Sequence, residues 1–565
     1  MRTHVIHAAA AAAVVSITSQ VFAASSEYTT PNVVTGTAPV TTTLGGYTFV
    51  NKGLQGVGRL SAELKDTWTI PGTSTVVHET LGSVSGMQLT NWQATGNGSY
   101  TGTFNTLPDR GYNATNVFSD YAARIQNINF TFTPYTGAAN IGGVDLASRI
   151  AAQNQIVPTY ASTDIFTYAN PNQGNALTTT TGLNPLTNTS TVLGQVTPLA
   201  TTQTIGLTNV PVNKLAIDAE ALVLLPDGSG YVSDEYGPNI YHFNAAKQID
   251  AIVTLPEAVR PRDAANNLVF DSQTGVTKGR RGNQGMEGMA LSPDGKTLYA
   301  LLQSATLQDS NASQQNRNNT RLMVYDVSAD ALNPTLIAEH AMELPRYTSN
   351  GGGGAVNRTA AQSELVALPD GKVLVLARDG NGLAAGDVQP VYKSILMIDT
   401  VGASNFAGTT RDDIGGKITT AAGVLDASIT PVTQQQVLNM LNSEQLAKFN
   451  INLGFNTDAD PELEAMDQLT ISEKWEGLSL VPALDPANPN DYFLFIANDN
   501  DFSSTTGQML QADGSYFTYD SVAAGDPLSA VNDTVFLAYR VTIIPEPVSV
   551  GMLGIAGLGL LRRRR

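Results

Sequence analysis

The chain has 565 residues with 49 acidic and 31 basic side chains, which gives a formal net charge of −18, and it contains no cysteine. This charge argues against nucleic-acid binding, because the phosphate backbone requires a basic surface, and it is compatible with the binding of divalent cations. Disulfides are excluded, and a chain of this length buries enough apolar surface to fold without them.

The first 23 residues have the pattern of a secretory signal peptide. Arg2 is followed by an apolar run over residues 8–15 and then by small residues around Ala23, the order of a charged region, a hydrophobic region and a cleavage site. The run is too short to span a bilayer of about 30 Å. We therefore predict that residues 1–23 are removed on export and that residues 24–541 form the folded body.

A hairpin is predicted early in the body. Residues 85–87 and 103–107 resemble two short strands, and the second ends in Pro108-Asp109-Arg110-Gly111. Residues 122–133 alternate between apolar and polar side chains, which favours a third strand that pairs with this hairpin.

An acidic residue, an apolar run and a turn recur four times in the rest of the body. The copies begin at Glu220, Glu287 and Glu364, each followed by Pro-Asp-Gly, and in a looser form at Glu476. Each copy indicates a strand, a tight turn and a second strand. The second strands are predicted at 230–233, 297–302, 372–377 and 492–497, and third strands at 240–243, 321–327, 394–399 and 535–541.

Repeated short antiparallel sheets are typical of β-propeller blades. Five such units, together with a blade assembled from the chain ends, predict an all-β propeller of six or seven blades. Insertions are expected at about 160–213, 305–320 and 401–474. Within the first two, residues 176–203 and 308–320 are rich in Thr, Asn and Gln and are predicted to be long polar loops. The third has a helical pattern, with Thr430 as N-cap, Pro431 as first helical residue and Ser443 as a second N-cap.

The last 21 residues resemble the PEP-CTERM sorting signal of Gram-negative bacteria. Pro545-Glu546-Pro547 is followed by an apolar stretch over 548–561 and by four arginines, Arg562 to Arg565. The resemblance implies a transient membrane contact with the arginines on the cytoplasmic side, and cleavage by an exosortase near the triplet. The mature protein is then expected in the periplasm, on the outer surface or in the extracellular matrix.

The repeats themselves resemble the phytase family with esterase-like activity, over about 82–541. The motifs that carry the resemblance are Asp218-Ala219-Glu220, Val232 to Asn239, Asn283 with Glu287-Gly288, Arg321 to Asp326, Glu364 with its turn, Asp499 to Phe502 and Leu107 to Gly111. The resemblance implies a propeller that hydrolyses phosphoesters with calcium as cofactor.

The four strand-start glutamates are expected to form a ring at one mouth of the central channel, because repeated blades place equivalent positions around one axis. Carboxylates crowded in this way raise one another's pKa unless cations neutralise them, and an oxygen-rich ring suits calcium. The alternative is that the glutamates hold neighbouring blades together through hydrogen bonds to the backbone. The predicted metal ligands are Asp109, Asp218, Glu220, Asp234, Glu287, Glu364, Asp379, Glu476, Asp499 and Asp501.

Three further residues are predicted to act on the substrate. Arg110 and Arg378 would grip phosphate oxygens, because a guanidinium group forms bidentate hydrogen bonds with them, and Glu235 would be the general base. Gln303 and Ala377 stand where the family has acidic residues, and this difference implies either fewer metal ions or a loss of activity.

Two functions follow from these features. The first is an exported, metal-dependent phosphoesterase that acts on small anionic phosphoesters, with inositol phosphates among the candidates. The alternative is a non-catalytic surface propeller that binds metal or exopolysaccharide. The sequence has no serine-hydrolase elbow, zinc-protease motif or phosphate-binding Gly-Lys-Ser loop.

Overall fold

The computed structural model describes residues 26–113, 118–384, 388–454 and 466–546. The predicted signal peptide and the sorting tail beyond Glu546 therefore lie outside the described residues. Among the helices of the described part, none is long and apolar enough to cross a membrane.

Five antiparallel sheets of four or five strands dominate the described part of the chain, and we number them as blades in chain order. Blade 1 comprises Gly86–Ala94, Tyr100–Leu107, Arg124–Phe132 and Ile156–Ile165. Blade 2 comprises Ala219–Leu224, Gly230–Asp234, Ile240–Phe243 and Ile249–Ile252. Blade 3 comprises Met286–Leu291, Thr297–Leu302, Asn319–Asp326 and Thr335–Glu343. Blade 4 comprises Ala361–Ala367, Lys372–Arg378, Lys393–Asp399 and Thr433–Asn439. Blade 5 comprises Lys474–Pro482, Asp491–Asp499, Thr534–Pro545, Tyr47–Leu60 and Val40–Leu44.

The first strand of each blade contacts the first strands of the blades before and after it, and the first strand of blade 5 contacts that of blade 1. The five inner strands therefore surround one axis, which is the arrangement of a β-propeller. A separate apolar cluster fills each space between successive blades. Between blades 5 and 1, for example, Phe104 stacks on Phe536 with ring centroids 4.6 Å apart.

The prediction of six or seven blades is not met in the described residues, which contain five sheets of this size. The repeat that begins at Glu476 supplies only three strands of blade 5. Its fourth strand is Tyr47–Leu60, which pairs with Thr534–Pro545 along its length. The chain ends therefore complete blade 5 instead of forming a blade of their own.

The predicted strands of the repeats agree with the structure within three residues at each end, apart from the last strand of blade 5, which extends to Pro545. Each Pro-Asp-Gly turn ends on a glycine with positive φ, such as Gly295 at 72°, a conformation that strongly favours glycine. The short hairpin geometry brings the first two strands of each blade into register.

The helix predicted from Thr430 is wrong. Thr433–Asn439 is the outer strand of blade 4 and pairs with Lys393–Asp399. The helix that exists nearby is Ser443–Lys448, with Asn442 as its N-cap. The short apolar run between 430 and 441 fits either element, and the open edge of blade 4 makes it a strand.

Smaller elements lie around the blades. The part of 160–213 predicted as a polar loop forms the hairpin Thr167–Asn170 with Ala176–Thr179 and the sheet Thr189–Val192, Gln195–Ile205, Thr208–Leu215. The other short strands are Glu27–Tyr28, Arg346–Tyr347, Arg358–Thr359, Trp68–Thr69, Val76–Val77, Gly507–Leu510 and Tyr516–Tyr519. The remaining helices are Leu146–Ala151 and the 3-10 turns Pro171–Gln173, Ser349–Gly351 and Ser529–Val531.

Candidate functional site

A β-bulge near the start of the inner strand places a glutamate at one end of the channel in three blades. The pairing with the second strand shifts at Glu220 in blade 2, at Glu287 in blade 3 and at Glu476 in blade 5. A bulge inserts a residue without a partner and redirects its side chain, which explains why these acidic residues leave the sheet and face the axis.

These three glutamates line a cavity of about 230 Å³ that we call the acidic cavity. Its walls are polar and come from four blades and their connecting loops. The lining residues are Asp109, Arg110, Asn113, Asp218, Glu220, Glu235, Asn283, Gln284, Glu287, Gln303, Arg378, Lys474, Glu476 and Asp499.

Arg110 is fixed on one wall of the acidic cavity. Its Nη1 donates to Asp218 Oδ2 at 2.6 Å. The amide oxygen of Asn113, in the orientation that satisfies the hydrogen bonds, accepts from Arg110 Nε at 2.8 Å and Nη2 at 3.0 Å. Arg110 therefore pairs with Asp218, which directly precedes the first strand of blade 2, and most of its donors are already engaged by protein groups.

Arg378 lies on another wall, between blades 4 and 5. Its Nε donates to Ser363 Oγ at 3.2 Å and its Nη2 to Glu476. Burial lowers the pKa of Arg378, but the carboxylates of Glu476 and Glu287 outweigh this effect and raise the pKa above its ordinary value. Arg378 Nη1 has no hydrogen-bond partner among the described residues, so one edge of the guanidinium group is free for a ligand.

Two groups of carboxylates lie at or beside the acidic cavity, and Lys474 bonds to members of one of them. Its Nζ donates to Asp499 Oδ2 at 3.3 Å and to Asp501. Oxygens of Asp109, Asp499 and Asp501 lie within 4.8 Å of one another, as do oxygens of a second group, Asp218, Glu220 and Glu235. Each group therefore contains one basic group of the protein: Lys474 bonds to two carboxylates of the first group, and Arg110 bonds to one carboxylate of the second, Asp218.

The acidic cavity is lined by more acidic than basic side chains. Burial disfavours the ionised form of these acids and therefore raises their pKa values. Burial raises the pKa of Glu235 to about 8, with a further contribution from Asp218. Burial and the neighbouring Asp501 raise the pKa of Asp499 to about 8. Burial and nearby carboxylates also raise the pKa values of Asp109, Glu220 and Glu287 well above their ordinary range. The donor set is therefore one that a hard divalent cation would neutralise.

Besides Asp501, which lies next to the acidic cavity, three predicted metal ligands do not line it. Asp234 accepts from the backbone N–H groups of Asp218, Tyr236 and Gly237 at 2.8–3.0 Å. Asp379 accepts from Lys393 Nζ at 2.7 Å and from backbone N–H groups of the adjoining loop. Both side chains hold loops in place, and the backbone and Lys393 use the oxygens that a metal ion would need.

Glu364 is the third residue outside the cavity. The bulge of blade 4 falls one residue earlier, on Ser363, and Glu364 pairs with Leu376. Its Oε1 accepts from the backbone N–H groups of Met289 and Leu365 at 3.1 and 2.8 Å. The ring therefore has three glutamates at this mouth, and Glu364 has the alternative role of joining blades through the backbone.

The other predicted residues are brought together. Asp109, Arg110, Asp218, Glu220, Glu235, Glu287, Arg378, Glu476 and Asp499 line the acidic cavity, and Asp501 lies beside it. Gln303, at a position where an acidic residue was expected, donates from Nε2 to Glu287. Asn113, Asn283, Gln284 and Lys474 also line the cavity and were not predicted. Lys474 could have been found, since it directly precedes Trp475-Glu476 in the looser repeat.

The chain is similar to several known proteins. A secreted protein of unknown function from Arthroderma benhamiae is 29% identical over 499 residues, which cover 82% of this chain and 90% of that protein. The allergen Mala s 1 of Malassezia sympodialis is 10% identical, covers 56% of this chain and 89% of its own, and has a TM-score of 0.23. A PQQ-bound aldose sugar dehydrogenase from Streptomyces coelicolor is 10% identical, covers 91% of this chain and 96% of its own, and has a TM-score of 0.22.

The TM-scores are too low to support an argument about function. The match to a family is more extensive, because it covers residues 80–502 and so includes all five inner strands and the whole acidic cavity. The chain therefore belongs to the phytase-like family, which is described by the esterase-like activity of phytase.

Proposed function

We propose that this protein is an exported, calcium-dependent phosphoesterase that acts on small phosphoesters. The observation that carries the proposal is the composition of the acidic cavity, in which seven carboxylates and three basic side chains share about 230 Å³. Carboxylates suit a hard cation, and guanidinium groups suit a phosphate. Both kinds of group stabilise the charge that develops on a phosphoryl group during hydrolysis.

The phosphate would be oriented chiefly by Arg378. One edge of its guanidinium group is held by Ser363 and Glu476, which fixes the plane of the group and leaves Nη1 for a phosphate oxygen. Arg110 is more fully engaged by Asp218 and Asn113. Its main role in the proposal is to position the carboxylate of Asp218.

The cation would be held by Asp218, Glu220 and Glu235, because Arg110 bonds to only one carboxylate of this group, whereas Lys474 bonds to two carboxylates of the other. When bound there, calcium would polarise a phosphoryl oxygen and lower the pKa of a coordinated water. This arrangement also explains how the site tolerates Gln303 in place of an acidic residue: Gln303 bonds to Glu287, which lies outside that ligand group.

Glu235 is also proposed as the general base, through the carboxylate oxygen that does not hold the cation. Its carboxyl is buried and its Oε1 accepts from the backbone N–H of Gly285 at 3.3 Å, which fixes its position at the cavity wall. With a pKa of about 8, the group holds a proton at neutral pH in the absence of a cation. A neighbouring positive charge favours the ionised form, so calcium binding and the availability of this base are expected to be coupled.

The size of the acidic cavity limits the substrate. Pockets for whole drug-sized ligands occupy about 300–1,000 Å³, so a cavity of about 230 Å³ suits a phosphoryl group and a cation. The rest of the substrate would lie outside it.

The test is hydrolysis by the mature body of a chromogenic phosphomonoester, of phytate and of a carboxyl ester, each with calcium and with chelator. We expect turnover of the phosphomonoester that requires calcium. Arg378→Gln should lower kcat/KM about 100-fold, since it removes a charged contact to the phosphate. Arg358→Gln, at an exposed position on a short outer strand, is the matched control and should leave kcat/KM unchanged. Absence of turnover on every substrate would reject the proposal.

A non-catalytic surface propeller that binds metal or exopolysaccharide is the second candidate. Gln303 favours it, because this residue reduces the negative charge of the cavity. The two candidates differ in a simple way. A binding protein would take up calcium, seen as a thermal shift or by calorimetry, without hydrolysing any of the three esters.

Export is supported by the similarity to a protein described as secreted. We further propose sorting to the surface of a Gram-negative cell with cleavage near Pro545. The last strand of blade 5 ends at Pro545, where Pro545 and Glu546 are exposed, so cleavage there would leave blade 5 intact. The intact mass of protein from the native cell surface tests this, and a mass that retains Arg562 to Arg565 would contradict it.

A further inference from the structure

A second cavity, of about 390 Å³, adjoins the acidic cavity, and we call it the outer cavity. Asn113 and Lys474 line both cavities, so the two spaces share a wall. Atoms of a substrate whose phosphoryl group lay in the acidic cavity would extend past Lys474 into the outer one.

The outer cavity is lined with hydroxyl groups and contains no large aliphatic side chain among its described lining residues. Tyr112, Ser503, Ser521 and Ser529 contribute hydroxyls. Ser503 is only 7% exposed, and its hydroxyl has no hydrogen-bond partner within the described part of the chain. The Ser503 side chain is therefore packed into the wall, and its unpaired hydroxyl is available to a polar ligand in the outer cavity.

The charge of the outer cavity is unsuited to a second phosphate. Glu473, Asp501 and Asp526 contribute carboxylates, and Lys474 is the one basic side chain among the described lining residues. Its ammonium group already bonds to Asp499 and Asp501. A phosphate here would meet like charges without a counter-ion, whereas the hydroxyl groups of an alcohol could donate to the carboxylates and accept from the serines.

We propose that the outer cavity binds the alcohol portion of the phosphoester, and that this alcohol is a neutral polyol or sugar carrying no further phosphate. The inference rests on the proposed phosphoesterase function and makes it more specific. It identifies Ser503 as a residue that determines substrate preference, and it excludes highly phosphorylated inositols as good substrates.

The experiment compares kcat/KM for methyl phosphate, glycerol phosphate, a hexose monophosphate and phytate under saturating calcium. We expect the two polyol monophosphates to exceed methyl phosphate by about tenfold or more, because each additional hydrogen bond contributes about two- to tenfold. Phytate should be the poorest of the four. Equal values for all four substrates, or a preference for phytate, would overturn the inference.

Two substitutions test the residues. Ser503→Ala should raise KM for the polyol monophosphates about three- to tenfold, with kcat and the methyl phosphate values unchanged. Ser328→Ala, at an exposed turn of blade 3, is the matched control. Asp526→Lys should improve phytate relative to glycerol phosphate, because it supplies a positive charge. An unchanged substrate profile in both variants, with thermal unfolding showing that they are folded, would also overturn the inference.

Failure of the inference can be distinguished from failure of the proposed function. Turnover of methyl phosphate without preference for polyols rejects the role of the outer cavity and retains the phosphoesterase. Absence of turnover on all four substrates rejects both.

Discussion

Glu287 and Glu364 hold similar places in the sequence repeats and different places in the structure. Glu287 lies six positions before the proline of its turn, Pro293, and Glu220 and Glu476 lie the same distance before their prolines. Glu364 lies only five positions before Pro369. This offset moves the bulge onto Ser363 and turns the carboxylate of Glu364 away from the acidic cavity. The two residues therefore form a matched pair of acidic residues, one inside the proposed site and one outside it.

Glu287→Gln is expected to reduce the stabilisation by calcium. Glu287 is not one of the three proposed ligands, but its carboxylate acts electrostatically on Glu220, which is. The substitution keeps the shape of the side chain and removes this negative charge from the acidic cavity. Calcium that binds only the folded state at a hundredfold excess over Kd stabilises it by about 2.7 kcal/mol, or a few degrees in Tm. Thermal unfolding with calcium and with chelator should show a smaller shift for Glu287→Gln than for the wild type.

Glu364→Gln is the control for this experiment. Its carboxylate contacts the backbone of blades 3 and 4, so its replacement should lower Tm and leave the calcium shift unchanged. If calcium raises the Tm of Glu287→Gln as much as that of the wild type, Glu287 has only a structural role.

Lys474→Gln is expected to create a place for one more calcium ion. The ammonium group neutralises Asp499 and Asp501, and its removal leaves three crowded carboxylates without a counter-ion. Isothermal titration calorimetry should show a higher calcium stoichiometry for the variant than for the wild type. Equal stoichiometry would mean that Lys474 does not occupy the place of a cation.

At the scale of elements, Asp491 joins three strands of blade 5. Its carboxylate accepts from Lys52 Nζ on the N-terminal strand at 2.7 Å and from Arg540 Nε on the C-terminal strand at 2.7 Å. The side chain is almost fully buried. Because Tyr47–Leu60 closes the ring of blades, this carboxylate stabilises the closure.

Asp491→Asn is expected to destabilise the fold by about 2 kcal/mol, since it leaves two basic side chains without their shared partner. The expected decrease in Tm is about 2–4 °C. Asp485→Asn is the matched control: Asp485 pairs with Arg540 alone and is partly exposed, so the effect should be below about 1 kcal/mol. Equal Tm values for the two variants would contradict a special role of Asp491 in closure.

At the scale of the whole molecule, the buried acids predict how stability depends on pH. Glu235 and Asp499 have pKa values of about 8 in the folded protein, and both values are raised by burial above the ordinary range near 4. The folded state therefore holds protons that the unfolded state releases. Their contribution to the free energy of unfolding falls as the pH rises from about 4 to 8.

Without calcium, the free energy of unfolding should therefore fall between pH 5 and pH 8, by up to about 1.4 kcal/mol per pH unit for each such group. Tm should decrease with it. Calcium should counter the decrease, so that its stabilising effect grows with pH. Acids with lowered pKa values, such as Glu63 at about 2, act with the opposite sign and only below about pH 4.5. Thermal unfolding from pH 5 to 8 with calcium and with chelator tests this, and Glu235→Gln should flatten the chelator curve. A calcium-free Tm that rises over this range would contradict the prediction.

The sequence by itself determined the elements that depend on neighbours along the chain. Thr297–Leu302 and Ile240–Phe243 are predicted to the residue, because alternating side chains and a Pro-Asp-Gly turn specify a hairpin locally. The repeats also predicted that the blades surround one axis, so that equivalent residues lie close together. Nine of the thirteen predicted site residues line the acidic cavity.

Only the tertiary structure decided the features that depend on distant partners. The number of blades followed from the pairing of Tyr47–Leu60 with Thr534–Pro545, which no local pattern records. Thr433–Asn439 became a strand because the edge of blade 4 was open to it. Lys474 acquired its role when the fold placed it between Asp499 and Asp501. Local sequence specifies backbone geometry, but strand partners and counter-ions are selected by the energy of bringing distant segments together.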